Sequence, residues 1–127
     1  MNELPKHLKY AESHEWVKVE ENQVIRVGIT DFAQQELGDL VNIELPDIGR
    51  RFDAGEQCAV VESVKSASDL FSPLSGEITA VNDTLKDAPE QVNDDPYQTW
   101  LFCLKAGDLS ELDRLMDAAA YQAMITE

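Results

Sequence analysis

Residues 60–70 read VVESVKSASDL. Val60, Val61 and Val64 come before a single lysine, Lys65, and Leu70 and Phe71 come after it. Both flanks suit short strands, being rich in β-branched and apolar residues that alternate with small polar ones. The immediate neighbours of the lysine are small rather than charged. A lysine at the tip of a tight connection between two strands is held out into water on a rigid support. Lys65 is therefore presented and not buried. Most solitary lysines do no more than solvate a surface, so the rest of the chain must decide whether this one has a task.

The lysine stands between predicted strands over 57–63 and 67–72, and Pro73 to Gly76 form a turn before EITAVN (77–82) alternates again. Upstream, DLVNIEL (39–45) alternates until Pro46 stops it. The segment 47–56 carries Gly49 and Gly55 on either side of Phe52, the pattern of tight turns around a short bent strand. HEWVKVEENQVIRVGI (14–29) reads as a hairpin: Trp16, Val17 and Val19 on one strand, a turn at Glu21-Asn22, and Val24, Ile25, Val27 and Ile29 on the other. A short helix over 30–38 is capped by Thr30 or Asp31 and closed by Gly38, with Phe32 and Leu37 as its buried residues. Beyond 82 the chain turns polar, with Pro89 at a first helical position and Leu85 and Val92 as anchors. TWLFCLK (99–105) supplies the last strand. Residues 108–127 have helical spacing, with Leu112, Leu115 and Met116 as a stripe and Ser110 and Asp113 as a capping pair. A break falls near Asp117, and Tyr121, Met124 and Ile125 continue the pattern. Short strands punctuated by Gly and Pro predict a mainly β fold, a flattened β-sandwich or barrel with a short internal helix and C-terminal helices. One domain is expected over 1–127, with its core at about 14–105 and a helical segment at about 108–126.

The chain holds 25 acidic and 10 basic residues, a formal charge of −15. That balance argues against nucleic acid and against an anionic membrane, whose phosphates would repel it, and favours basic protein surfaces. It is also what keeps a small domain in solution. Cys58 and Cys103 stand alone in apolar runs, which makes them small core residues rather than a zinc site or a disulfide framework. No apolar run is long enough to span a membrane, and MNELPKHLKY lacks the features of a signal or transit peptide. His7 and His14 are the only histidines, and no HExxH, GxSxG or P-loop spacing occurs. No catalytic residue and no metal ligand set is expected.

Beyond these patterns the chain resembles the glycine cleavage H-protein family along nearly its whole length. The resemblance is carried by LKYAESHEWV, VGITDFAQQELGDLVNIELPDIG, AGEQCAVVESVKSASDLFSPLSGEITAVN, DDPY, TWLFCLK and SELDRLMDAAAY. Biotin carriers place a lysine similarly but set Met on both sides of it, where this chain has Val64 and Ser66. The resemblance implies a barrel-sandwich hybrid of the lipoyl and biotinyl carrier type, with lipoic acid in amide linkage on Lys65. It implies a non-catalytic shuttle that takes an aminomethyl group from glycine decarboxylase (P protein) to aminomethyltransferase (T protein). Dihydrolipoamide dehydrogenase (L protein) reoxidises it, and lipoate-attaching enzymes modify it. Ser13, Glu15 and Asp69 match positions associated with a cleft that shelters the loaded arm, where a carboxylate could hold an amine. As ordinary surface chemistry, Glu15 and Asp69 are equally solvated acids or strand-end caps. The chain departs from the family at Tyr97-Gln-Thr-Trp100, which lacks a common glycine, and at Glu36, where His is frequent.

Two other functions remain open at this level. The same carrier could relay lipoyl groups to other complexes or serve in redox signalling, or the domain could be an interaction module that has lost its arm. A monomer is expected for a mobile carrier. The bacterial cytoplasm is the expected compartment, with the mitochondrial matrix possible only if a transit peptide has been removed.

Overall fold

The computed structural model describes residues 4–126. In chain order its strands are β1 (Lys9–Tyr10), β2 (Glu15–Val19), β3 (Val24–Ile29), β4 (Leu40–Glu44), β5 (Arg51–Phe52), β6 (Gln57–Ser63), β7 (Ala67–Phe71), β8 (Gly76–Val81) and β9 (Phe102–Ala106). The helices are α1 (Asp31–Leu37), α2 (Glu90–Asp94) and α3 (Ala118–Ile125), with tighter 3₁₀ turns at Asp83–Lys86 and Leu109–Arg114. Six strands form one antiparallel sheet in the order β1-β2-β3-β9-β8-β5, and three form another in the order β4-β6-β7. Inward side chains of both sheets meet in one core, among them Val17, Ile25, Val27 and Ile29 from the larger and Ile43, Val61 and Leu70 from the smaller. Full burial of each such side chain stabilises the fold by roughly 1.5–3 kcal/mol. The predicted sandwich is present.

Alternation sets the β2–β3 hairpin, and its turn uses left-handed backbone at Asn22 and Gln23 (φ 56° and 63°). Trp16 faces Gly28 across this pair. A Cβ on Gly28 would lie 2.4 Å from the Trp16 indole, so the glycine is there to let the ring lie flat on the strand. The indole N–H donates to the Pro96 carbonyl at 2.9 Å, which ties the DDPY loop to the sheet. Gly49 and Gly55 take left-handed φ of 92° and 87° around β5, the predicted turns. Cys58 and Cys103 are free and buried, and burial pushes the Cys58 thiol up to about 12. They are core residues, as expected.

Three expectations change. Phe32 and Leu37 are only half-buried, because α1 lies on the edge of the core with Ala33 and Leu37 touching it from outside. The C-terminal segment opens on Asp108, whose carboxylate accepts the Ser110 N–H at 2.9 Å, so Ser110 and Asp113 do not form its cap. The predicted break at Asp117 is real: its side chain accepts the Ala120 N–H at 2.8 Å and starts α3. Met116 pairs with Tyr10 through two backbone bonds of 2.8 Å on the way there, which pulls the segment out of helix. Pro89 stands one position earlier than predicted, at the N-cap of α2. A second, smaller core gathers Leu8, Tyr10, Trp16 and Tyr121, with the Tyr10 and Tyr121 rings stacked at 4.9 Å.

Candidate functional site

The β6–β7 pairing runs from Gln57↔Phe71 to Glu62↔Ala67, which leaves Val64, Lys65 and Ser66 as the tip. Ser63 holds that tip. Its hydroxyl accepts the N–H groups of Lys65 and Ser66 at 3.1 Å each and donates to the Ser66 carbonyl at 3.2 Å, while its own N–H reaches the same carbonyl at 2.7 Å. A hydroxyl one residue outside a turn can replace the backbone bonds that a longer loop would lack. The tip is also fastened sideways, because the Val64 N–H donates to the Asp39 carbonyl at 3.0 Å. Val64 itself is 68% exposed and Lys65 is exposed beside it.

The aliphatic part of Lys65 lies over Gly38. A Cβ on Gly38 would sit 3.3 Å from the Lys65 Cε. Gly38 has φ +82° and closes α1 with its N–H on the Gln34 carbonyl, so glycine serves here both as helix stop and as floor for the lysine. Among the described residues the ion pairs are Lys18–Glu20, Arg26–Glu20, Arg51–Glu77 and Lys86–Asp83, none of them at this tip. An exposed amine above a floor with no side chain can accept an acyl group without displacing a neighbour. The site fits an amide-linked arm.

Ser13 and Glu15 are brought together, but at the other end of β7 from the lysine. Glu15 is fully buried. Its Oε1 accepts the Ser13 hydroxyl at 2.5 Å, and its Oε2 accepts the Phe71 N–H at 3.1 Å. The neighbouring Ser72 N–H turns inward to the Glu56 carbonyl, so the Phe71 N–H projects from the outer edge of β7 and Glu15 caps it. Burial raises the Glu15 carboxyl above the usual carboxylate range, and the two hydrogen bonds pull in the opposite direction. Asp69 lies in the middle of β7, opposite Val60, and is exposed. Glu15 therefore acts as a buried edge cap that joins the two sheets. Glu36 is exposed in the last turn of α1. In the loop at 97–100, the Tyr97 hydroxyl accepts the Asp31 N–H at 3.1 Å and Arg26 lies 5.4 Å over the Trp100 ring.

Charge is uneven. Residues 31–44, 57–71 and 90–95, which carry α1, β4, β6, β7 and α2, hold nine acids and one base, Lys65. Sequence reading singled out the lysine, and Gly38 as a helix stop, but passed over Ser63, the place of Gly38 under the lysine and the Asp39 carbonyl. The serine so close to Lys65 was the available signal for the first. The other two act through a chain segment more than 20 residues away.

The fold and this tip together define a lysine-presenting β-sandwich of the carrier type. The family model for glycine cleavage H-protein matches residues 8–127. This chain belongs to the glycine cleavage H-protein family. It is 55% identical over 127 residues to a glycine cleavage system H protein of Methylococcus capsulatus, covering 100% of both chains. It is 56% identical over 128 residues to one of Photorhabdus laumondii, covering 100% of this chain and 98% of the other. A crystal structure of a glycine cleavage system H protein from Mycobacterium marinum superimposes with a TM-score of 0.87 at 35% identity, over 98% of this chain and 100% of that one.

Proposed function

We propose that this chain is the lipoyl-bearing shuttle of a glycine cleavage system, one carrier domain over residues 1–127, with Lys65 as the attachment point. The observation that carries the reading is the Lys65 tip: an exposed amine without an ionic partner among the described residues, on a turn fixed by Ser63 and Asp39. Family membership supplies the identity of the group, since glycine cleavage H-proteins carry lipoate covalently on a lysine. When bound, lipoate supplies a reversible disulfide at the end of a long tether. The protein's own task is mechanical and electrostatic. Ser63 and Asp39 fix the root of the arm so that only the side chain swings, which keeps a tethered group at high local concentration for each enzyme visited. Gly38 leaves the lysine stem room to lie down or lift. The chain is a carrier and not a catalyst, and its partners are the P, T and L proteins and the lipoate-attaching enzymes. The acidic lysine end suits basic rims around their sites. The protein works as a monomer in the bacterial cytoplasm; no described helix is long and apolar enough to cross a membrane.

Intact-mass and peptide mass spectrometry of the chain from lipoylating cells tests the assignment. One lipoyl amide on Lys65, lost in Lys65→Arg, is expected; an unmodified Lys65 in such cells overturns it. Glycine-dependent exchange of CO2 with purified decarboxylase then separates a glycine cleavage shuttle, which supports exchange, from a relay to other complexes, which does not.

A further inference from the structure

Asn93, on α2, bridges the end of α1 and the start of β4 beside the lysine tip. Its Oδ1 accepts the Leu40 N–H at 2.9 Å, and its Nδ2 donates to the Gly38 carbonyl and to the Gln34 Oε1, each at 2.9 Å. Both amide hydrogens and the oxygen are thus used, a satisfaction that only a carboxamide can give at this spot. The Gly38 carbonyl is one of those left without an intrahelical partner where α1 stops, and Asn93 supplies the donor. Between its two backbone contacts lies Asp39, whose carbonyl holds the Val64 N–H. Gly38 is the floor under the Lys65 stem, and Leu40 pairs with Ser63, the staple of the tip. Among the described residues, the contacts given for Ser63, Val64 and Lys65 from outside their own hairpin come from residues 38–40. Asn93 clamps the two ends of that tripeptide. It is itself anchored, since its neighbour Val92 is fully buried and the Gln91 carbonyl takes the Thr99 hydroxyl at 3.1 Å.

We propose that Asn93 is a positioning residue for Lys65, setting the height and direction at which the lysine is offered to the enzyme that acylates it. The enzymatic half of this inference rests on the carrier reading above; the structural half does not. The test uses unmodified full-length protein and three variants, Asn93→Ala, Asn93→Asp and Gln34→Ala. Asn93→Asp keeps the acceptor for Leu40 but removes both donors, and it also serves if Asn93→Ala folds poorly. Of the three Asn93 contacts, Gln34→Ala removes only the one that does not lead to the tip, together with the bond from Gln34 Nε2 to Asp31 at the start of α1. Hydrogen exchange of the Val64 amide is expected to quicken about tenfold in both Asn93 variants and to stay within about twofold in Gln34→Ala. Amides of the β2–β3 hairpin serve as the internal standard and should not move. Acylation of Lys65 by a lipoate-attaching enzyme should slow about tenfold in kcat/KM, mostly through KM. Reaction of the same lysine with a small acylating ester should not change, because the amine stays exposed.

Unaltered Val64 exchange, or a quickening shared by the β2–β3 hairpin, overturns the proposal, since Asn93 would then be a general fold contact. Enzymatic and small-reagent rates falling together overturns it as well. If Val64 exchange quickens as expected but no lipoate-attaching enzyme acts on wild-type Lys65, Asn93 still positions the tip and the carrier reading fails instead.

Discussion

Tyr121 anchors α3 through a directed chain of hydrogen bonds, and replacing it by Phe should change how stability responds to pH. Thr30 Oγ1 accepts the Ala33 N–H at 3.2 Å and lies 2.7 Å from the Tyr121 hydroxyl, to which it can give its own hydrogen. In that arrangement the Tyr121 hydrogen goes to His14 Nδ1, also 2.7 Å away, where a neutral imidazole accepts it. Protonated His14 would donate to the Tyr121 hydroxyl and leave one hydroxyl hydrogen, on Tyr121 or on fully buried Thr30, without an acceptor, at about 1–3 kcal/mol. Burial lowers the His14 pKa from its ordinary value, with Glu36 pulling weakly the other way. The folded pKa thus lies below the unfolded one. The stability His14 contributes is fully present above about pH 6.5 and is lost as pH falls through the folded pKa, at up to ~1.4 kcal/mol per pH unit. Wild type should lose stability between pH 7.5 and 5.5 through this group. Tyr121→Phe should start roughly 2–3 kcal/mol lower at pH 7.5, from two lost hydrogen bonds and an orphaned Thr30, and should lose less on acidification. Urea unfolding at both pH values measures the difference, and the imidazole titration is read by NMR. Identical pH responses in the two proteins, or a His14 that titrates at or above the ordinary value, would refute the chain as drawn.

Gly28→Ala should cost about 3 kcal/mol, because a methyl 2.4 Å from the Trp16 indole displaces a buried ring and its bond to Pro96. Trp16→Phe in the same chain should recover part of that loss, and urea midpoints of the four proteins of the cycle decide it. Glu15→Ala should cost about 2 kcal/mol by leaving the Phe71 N–H without an acceptor, with faster exchange of that amide as the specific sign. Association with any basic partner should weaken steadily between about 0.05 and 0.5 M salt if the acidic lysine end guides it. Salt-independent binding measured by calorimetry would remove charge from the account.

The fold was legible wherever period and punctuation agreed. The β2–β3 alternation, the Thr30 to Gly38 helix and the two hairpin strands around Lys65 all lie where local pattern places them. What local pattern does not carry is partnership over distance. β1 is two residues long and exists because Tyr10 pairs with both Trp16 and Met116, neither of which is visible in LKY. The C-terminal stripe read as one broken helix, but the backbone bonds to Tyr10 hold its middle extended. The site divides in the same way. The setting between two strands shows Lys65 as a presented lysine and only the family resemblance marks it as an attachment point, whereas Glu15 in SHEW looks like a surface acid until an unpaired N–H appears 56 residues later. Asn93 gives even less warning, since a polar residue in a polar helix has no signature of the three contacts it makes.

Acylation of Lys65 would leave residues 31–44, 57–71 and 90–95 with nine acids and no base. Two copies of the protein meeting lysine end to lysine end would then repel over about 8–10 Å at ordinary ionic strength. A basic surface meets no such barrier. Like molecules would thereby be turned end-away from one another, and an arm on Lys65 would be left free by the sign of a field and not by any steric guard.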